Sequence, residues 1–458
     1  MVTALLIALQ APLYGLASSK ATLPPIDEYD SLRPESLTAG HLYATSAILI
    51  DGDTGRVLFE KDADRKRSPA STTKIMTLML GLEALGDRLD DYITIPDEAG
   101  AVPKDSSVVP VKPGEKMTAR DLLYGFMMMS GNDGANAVAV LSAGSLEAFI
   151  DRMNERAAQL GMTNTHFANA HGYTDEEHYS SARDLATLTR EAMKDETFRR
   201  IVGTGSYTME ATARRGGLTV ENTNLFGTGK TRYRYQFGTG VKTGNTDDAG
   251  YCLVGSATDD RGVNLISVVL NATATNSEAR WIDTTRLMNY GFARYRQYSF
   301  LDMYGMAPLS VKIDKAAPDD PGQGLLTLTA VLNRSSNYYA LSIDEDIRSL
   351  VIGVMSSVKL EYDVPLEAPI EQGTVMGTLT YDPPGGGEAV TAVLIADRSI
   401  ERAPDSVSLY NMGLLLSSVP RWMIGWVIAL LLILIVITWS QAASRRRRRR
   451  AQKARRRR

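Results

Sequence analysis

A serine and a lysine stand three residues apart in the stretch "SPASTTKIMT", residues 68–77. Positions i and i+3 share one face of a helix, so Ser71 and Lys74 are expected to face each other. A serine at a helix N-terminus feels the positive end of the dipole, which favours its alkoxide, and a neutral lysine amine can accept its proton. Desolvation or a second cation would lower the lysine pKa towards that neutral state. The pair also fits an ordinary exposed helix start, so other residues must decide.

Two further short motifs follow in the chain. "MMMSGNDGANA" supplies Ser130-Gly131-Asn132, and "GVKTGNTDDAG" supplies Lys242-Thr243-Gly244. Each triplet alone is weak evidence. Three of them in this order, at the first helix, at a link between helices and in a strand, are a strong signal for acyl transfer by a serine nucleophile.

Several segments predict the elements that must position these motifs. Two strands are predicted around the "DGDTG" turn, and two helical stretches in 118–143, with Thr118 as the N-cap. "SSARDLATLTREAMKD" begins with a Ser-x-x-Asp cap signature, "YCLVGSATDDRGVNLISVVLNAT" reads as a hairpin, and a closing helix follows it. Strands at both chain ends with helices between them predict one α/β domain, about residues 40–295, with a largely antiparallel sheet.

The pattern changes after residue 300. Short alternating segments separated by Pro and Gly predict a small all-β domain over residues 300–403, followed by a stalk at 404–421.

Both chain ends predict membrane targeting. Residues 1–21 read as a secretory signal peptide, and 22–39 as a linker. Residues 422–440 form an uncharged apolar run long enough to span a bilayer. The arginine-rich tail, 441–458, would then lie in the cytoplasm on anionic lipids, with the bulk of the chain outside.

Charge and composition limit which binding partners, metals and disulfides the sequence predicts. Residues 445–458 hold eleven basic residues, and the other 444 carry 39 basic against 53 acidic residues. No nucleic acid is expected as a partner, because the tail adjoins the apolar run. The four histidines lack compact metal-ligand spacing, so no metal and no cofactor are predicted. The single cysteine, Cys252, excludes an internal disulfide and is expected to be buried.

Beyond the three motifs, residues 40–292 resemble the low-molecular-mass penicillin-binding proteins that are D-alanyl-D-alanine carboxypeptidases. The matching stretches include "SPASTTKIMT", "SGNDGANA", "THFANAHGY", "SSARDLA" and "VKTGNTDDAGY". The resemblance implies a penicillin-binding transpeptidase/β-lactamase-like fold, with an antiparallel sheet flanked by helices and a helical subdomain. Residues 300–403 resemble, more loosely, the β-rich domain that follows in that family. Its usual anchor is an amphipathic C-terminal helix, and the predicted spanning segment of this chain departs from that.

The resemblance also implies roles for the motif residues. Ser71 would attack the peptide carbonyl, Lys74 would take its proton, and Ser130 would relay a proton to the leaving D-alanine. The implied substrate-binding residues are Asn132, Lys242, Thr243, Gly244, Asn245 and Arg280. Among these, Asn132 would also hold Lys74, Lys242 and Thr243 would receive the terminal carboxylate, and Arg280 would be a second carboxylate contact. Backbone N–H groups of Ser71 and Asn245 would form the oxyanion hole.

Some roles and functions stay open. His171 is either structural under a loop or a direct aid to deacylation. The implied reaction removes the terminal D-alanine from peptidoglycan stem pentapeptides, with β-lactam antibiotics as covalent inhibitors. A β-lactamase on the same fold, a DD-endopeptidase and a non-catalytic wall-binding scaffold are the alternatives.

Overall fold

The computed structural model describes residues 32–228, 232–272, 277–332, 339–342, 347–383, 389–403, 423, 429–435 and 438–439. The predicted signal peptide, the stalk at 404–421 and the arginine-rich tail lie outside these described residues, as does the first part of the predicted linker.

The described residues form sixteen strands and ten α-helices. The strands are β1 (Ala44–Asp51), β2 (Val57–Lys61), β3 (Tyr92–Thr94), β4 (Lys116–Thr118), β5 (Ser206–Met209), β6 (Leu218–Glu221), β7 (Gly238–Thr246), β8 (Gly250–Thr258), β9 (Asn264–Ala272), β10 (Arg296–Ser299), β11 (Ser310–Lys312), β12 (Leu325–Leu332), β13 (Tyr339–Ser342), β14 (Lys359–Tyr362), β15 (Val375–Tyr381) and β16 (Val390–Ala396). The helices are α1 (Lys74–Leu85), α2 (Ala119–Met129), α3 (Asn132–Ala143), α4 (Leu146–Gln159), α5 (Ala182–Ala192), α6 (Glu196–Val202), α7 (Leu225–Thr228), α8 (Ala279–Arg294), α9 (Phe300–Met306) and α10 (Ile347–Ser357).

A five-stranded sheet of order β2-β1-β9-β8-β7 forms the centre of the first domain. Every neighbouring pair in it is antiparallel, as the hairpin patterns predict. Successive residues of a strand point to opposite faces, and both faces are buried here. Ile48 and Ile50 of β1 pack with the helices α1 to α6, whereas Ala47 and Leu49 pack with α8.

Capping residues set where the helices around the site begin. The Thr118 hydroxyl accepts the backbone N–H of Asp121 at the start of α2, and the Ser181 hydroxyl accepts that of Asp184 at the start of α5. Such caps satisfy one of the otherwise unpaired N–H groups of the first helical turn. Both caps confirm the predictions made from the sequence.

The single cysteine lies in the same sheet. Cys252 of β8 is fully buried, as predicted, and burial raises the pKa of its thiol to about 11.

The second domain is built on a sheet of order β11-β12-β16-β15-β14, but it is not all-β as predicted. Helices α9 and α10 pack against this sheet and contribute to its core. In α10 the buried residues are Val351, Val354 and Met355, whose i, i+3, i+4 spacing is that of a helix face. The sequence prediction gave weight to the alternating segments on either side and missed this period.

The first described residues pack on the first domain, whereas the last described residues belong to the predicted membrane span. Leu37 and Leu42 are buried in the core beside α8, so the later part of the predicted linker packs on the first domain. At the other end, the structure describes residues 423, 429–435 and 438–439 of the predicted membrane span 422–440, and the rest of that span lies outside the described residues. Within the described part of the chain, no helix meets the length and apolarity needed to cross a bilayer.

Candidate active site

Ser71 lies in a single 3-10 turn, Ala70–Thr73, that leads directly into α1. Lys74 is the first residue of α1 and is fully buried, together with the apolar residues behind it. The turn and the helix therefore place the hydroxyl and the amine side by side, as the three-residue spacing predicts.

The Lys74 amine makes three hydrogen bonds. Its Nζ lies 3.0 Å from Ser71 Oγ, 2.7 Å from Asn132 Oδ1 and 2.7 Å from the backbone carbonyl oxygen of His171. These partners come from the 3-10 turn before α1, from α3 and from a loop, so three distant stretches of the sequence meet at one nitrogen.

The electrostatic surroundings favour the neutral amine. Burial, and then the positive charge of Lys242, hold the pKa of Lys74 well below its usual range, while the Asp133 carboxylate acts in the opposite direction. A lysine in such surroundings can accept a proton near neutral pH.

Ser130 and Asn132 lie at the link between α2 and α3. Ser130 follows the last residue of α2 in the left-handed conformation, with φ of 60°, and is nearly buried. Asn132 begins α3 and donates from Nδ2 to Ser106 Oγ over 3.0 Å. Among the described residues, no direct hydrogen bond joins the side chain of Ser130 to Ser71 or Lys74.

The third motif lies on β7, at the edge of the central sheet. Lys242 is buried and donates to the carbonyl of Thr243 over 3.0 Å. Burial, and then the charge of Arg280, lower the pKa of Lys242 to about 7. A Cβ on Gly244 would lie 3.0 Å from the carbonyl oxygen of Pro69 and 3.1 Å from Ala70 Cβ, so β7 passes close to the turn that carries Ser71.

The remaining predicted substrate-binding residues lie along or behind β7. Asn245 is exposed on β7 and pairs with Tyr251 of β8. Arg280, in the first turn of α8, donates to the Gly244 carbonyl over 3.3 Å and lies over the rings of Tyr251 and Trp281. Lys74, Lys242 and Arg280 thus form a row in which each cation acts on the pKa of the one before.

His171 contacts the site through its backbone rather than its ring. Its carbonyl accepts from Lys74, and its Nδ1 accepts from the backbone N–H of Tyr173 over 3.2 Å. Burial, with the charge of Lys74, lowers the pKa of the imidazole to about 3. These contacts favour the structural role of the two that the sequence left open.

The loop that carries His171 packs closely against the 3-10 turn that carries Ser71. A Cβ on Gly172 would lie 1.8 Å from the Ala70 carbonyl oxygen. The Thr77 hydroxyl donates to the carbonyl of Ala170, one residue before His171. The sequence offers no periodic signal for these contacts.

Other residues at the site were missed from the sequence. The Asp133 carboxylate accepts the backbone N–H groups of Val109 and Val111, which holds residues 109–111 of the segment 101–113 on α3. The Thr243 hydroxyl donates to that of Thr223 over 3.2 Å. A signal for Asp133 existed, because an acidic residue next to Asn132 at a helix start has backbone N–H groups within reach.

Fold and site together define a class: serine enzymes of the penicillin-binding type, with an antiparallel sheet, a helical subdomain and a buried lysine hydrogen-bonded to a serine. The family model for D-alanyl-D-alanine carboxypeptidase matches residues 33–274. The chain therefore belongs to the D-alanyl-D-alanine carboxypeptidase family of serine peptidases.

Individual relatives agree with this assignment. The D-alanyl-D-alanine carboxypeptidase DacF of Bacillus subtilis is 32% identical over 352 residues, which cover 75% of this chain and 82% of DacF. The crystal structure of the Streptomyces K15 DD-transpeptidase is similar with a TM-score of 0.51 and 37% identity, covering 56% of this chain and all of that one. Penicillin binding protein 5 from Haemophilus influenzae gives a TM-score of 0.55 and 27% identity, covering 80% of this chain and 100% of that one. The predicted fold class is confirmed for the catalytic domain.

Proposed function

We propose that Ser71 carries out the family's reaction in this chain, the removal of the terminal D-alanine from a peptidoglycan stem peptide. Ser71 Oγ attacks the carbonyl of the penultimate D-alanine and forms an ester, and the terminal D-alanine leaves as the amine. Water then hydrolyses the ester and restores the free serine. Penicillins, whose acylation of the nucleophile is typical of the family, form the same kind of ester.

The single observation that carries this proposal is the contact between Lys74 and Ser71. A buried amine 3.0 Å from a hydroxyl, with its pKa held well below the usual range, has the geometry and the protonation state of a general base. Asn132 and the His171 carbonyl fix the other two directions of the amine.

The leaving group and the substrate carboxylate need further groups. Lys242 and Thr243 on the edge strand β7 receive the carboxylate of the terminal D-alanine, and Arg280 behind the strand adds positive charge. Ser130, beside Asn132, passes a proton to the departing amine. With a pKa of about 7, Lys242 is about half charged at neutral pH and mostly charged below it, so it can attract an anion.

An edge strand also offers backbone groups. Alternate N–H and C=O groups of β7 point away from β8, and an extended peptide can pair with them. The N–H groups of Ser71 and Asn245 then serve as the oxyanion hole, which in acyl transfer is usually the largest single stabilising interaction.

The test is the mass of the intact protein after incubation with benzylpenicillin. The wild type is expected to gain one penicilloyl group, which peptide mapping places on Ser71. Ser71→Ala is expected to gain none, and Ser68→Ala, three residues earlier, to react as the wild type does. Labelling of Ser71→Ala would overturn the assignment.

Two alternative reactions use the same residues. Rapid turnover of benzylpenicillin would indicate a β-lactamase, whereas slow release of the acyl group supports the carboxypeptidase. Release of D-alanine from a pentapeptide, compared with cleavage of a cross-linked dimer, separates carboxypeptidase from DD-endopeptidase. A wall-binding scaffold without catalysis would leave Ser71→Ala indistinguishable from the wild type in all of these assays.

We also propose a single membrane anchor at residues 422–440, with the catalytic domain outside the cell. Six consecutive apolar residues, 430–435, each expose more than half of their surface. Six successive positions cover the whole circumference of a helix, which suits lipid rather than one protein face. The full chain is expected to sediment with membranes and to need detergent for release, and a chain ending at residue 421 to stay in the supernatant. Release of the full chain by salt alone would contradict this.

The second domain, in this arrangement, is a spacer between the anchor and the site. Deleting residues 300–403 while keeping the anchor should lower activity on intact wall but not on free peptide. Equal loss on both substrates would contradict the spacer role.

A further inference from the structure

A chain of contacts, the first of two arms, leads from the Lys74 amine to the Tyr173 hydroxyl. Lys74 donates to Asn132 Oδ1, and Asn132 donates from Nδ2 to Ser106 Oγ over 3.0 Å. Asp105, next to Ser106 in the chain, accepts the hydroxyl proton of Tyr173, with 3.1 and 3.2 Å to its two carboxylate oxygens.

A second arm returns from Tyr173 to the same amine. The Tyr173 backbone N–H donates to His171 Nδ1 over 3.2 Å, and the His171 carbonyl accepts from Lys74. The two arms close a ring of contacts that begins and ends at the Lys74 amine. Among the described residues, the bond between Tyr173 and Asp105 is the one hydrogen bond that joins segment 101–113 to segment 163–181.

The Tyr173 hydroxyl remains a donor under ordinary conditions. The hydrogen bond to Asp105, and then the charge of Asp105, raise the pKa of Tyr173 above its usual range, with a smaller effect from Asp247 on the β7–β8 turn.

We infer that Tyr173 is a positioning residue for the reaction: through Asp105 it holds the segment that carries Ser106, and so keeps Asn132 directed at Lys74. This inference rests on the proposed function, because Lys74 is its target. Without the bond, Ser106 gains freedom, Asn132 loses a fixed acceptor for Nδ2, and the amine spends less time on Ser71. A positioning loss of this kind lowers the rate of the chemical steps more than it lowers substrate binding.

The test compares Tyr173→Phe with a matched control, Tyr207→Phe. Both remove one hydroxyl that bonds to an aspartate, and Phe keeps the ring. Tyr207 donates to Asp121 over 2.7 Å. Asp121 lies in the first turn of α2, about 14 Å along the helix from Ser130. Tyr173→Phe is expected to lower penicillin acylation and kcat on a D-alanyl-D-alanine peptide about three- to tenfold, as for the loss of one exposed hydrogen bond. KM should stay within about twofold, and Tyr207→Phe should acylate as the wild type does.

A double-mutant cycle with Asp105→Ala completes the test. If Tyr173 acts through Asp105, then Asp105→Ala and the double variant lose the same factor as Tyr173→Phe alone. Losses that multiply, an effect on KM alone, or an unchanged acylation rate would each overturn the inference. A wild type that penicillin does not label would instead overturn the proposed function, on which the inference depends.

Discussion

His178 and Thr73 are joined by a hydrogen bond of 2.8 Å, and a second contact fixes its direction. The backbone N–H of Ala168 donates to His178 Nδ1 over 3.0 Å, so the ring proton lies on Nε2 and is donated to Thr73 Oγ1. Thr73 directly precedes Lys74. The buried imidazole therefore ties the start of α1 to the loop whose His171 carbonyl holds the Lys74 amine.

Replacing His178 by Ala should weaken both the fold and the site. The change leaves the Thr73 hydroxyl and the Ala168 N–H unpaired and opens a buried cavity, so we expect a loss of about 2–4 kcal/mol in the free energy of unfolding. Penicillin acylation should slow as well. Denaturant unfolding and acylation kinetics measure the two effects. His166→Ala, a change in the same loop at a half-buried ring that bonds to the Glu177 carbonyl, is the control and should lower both quantities less.

A methyl group at Gly172 should displace the nucleophile. Gly172 has φ of +85°, and its Cβ would lie 1.8 Å from the Ala70 carbonyl, the residue before Ser71. We expect Gly172→Ala to slow acylation by more than about 100-fold, the scale on which a misplacement of about 1 Å acts. Gly161→Ala separates clash from backbone strain, because Gly161 has φ of +71° and no atom within 4 Å of its Cβ. That variant should lose about 1–2 kcal/mol of stability and keep its acylation rate. Equal acylation rates for Gly172→Ala and Gly161→Ala would show that the contact with the Ala70 carbonyl does not displace Ser71.

Lys242→Met should stabilise the protein while it impairs the enzyme. Lys242 is fully buried with one hydrogen bond, to the Thr243 carbonyl, so a methionine of similar shape removes a desolvation cost and should raise the free energy of unfolding by about 1–3 kcal/mol at pH 6.5. Lys74→Met, by contrast, leaves Asn132 Oδ1 and the His171 carbonyl without their donor and should not stabilise.

The stabilisation should also depend on pH. Burial lowers the pKa of Lys242 from 10.5 to about 7, so between these values the unfolded chain binds more protons than the folded one. Wild-type stability therefore rises with pH through this window, and the advantage of Lys242→Met should shrink from pH 7 towards pH 10. Chemical unfolding at several pH values measures it, and an advantage that stays constant would contradict the assigned cause.

The same titration should shape the activity profile. kcat/KM reports the free enzyme, in which Lys242 loses its charge above about pH 7. Attraction for the substrate carboxylate then weakens, so kcat/KM should fall on the alkaline side with an apparent pKa near 7. Lys242→Arg, whose guanidinium stays charged, should move that fall to higher pH. If kcat/KM fell at the same pH in the wild type and in Lys242→Arg, the titration would belong to a group other than Lys242.

The sequence predicted the parts of the site that depend on local spacing. Ser71 and Lys74 are one turn apart, and the caps at Thr118 and Ser181 are set by residues three positions on, so short-range geometry decides them. The largely antiparallel character of the central sheet was predicted from the hairpins.

The contacts between loops were not predictable in the same way. Asn132 meets Ser106 across 26 residues, and Tyr173 meets Asp105 across 68. Ser106, Asp105 and Tyr173 lie on segments without regular backbone or hydrophobic period. Only the packing of α1, α3 and the sheet brings these loops together. The helix α10 is a different case, because its buried period was present in the sequence and was outweighed by the strands around it.

The burial of Cys252 makes the chain convenient to label. It is the one thiol in all 458 residues, it has no exposed surface, and its raised pKa keeps it in the unreactive protonated form at neutral pH. A cysteine introduced on segment 101–113 would therefore be the sole reactive group towards maleimide dyes. A pair of such cysteines, the second on the β7–β8 turn, would report the distance between these two segments by energy transfer without any background from the native chain.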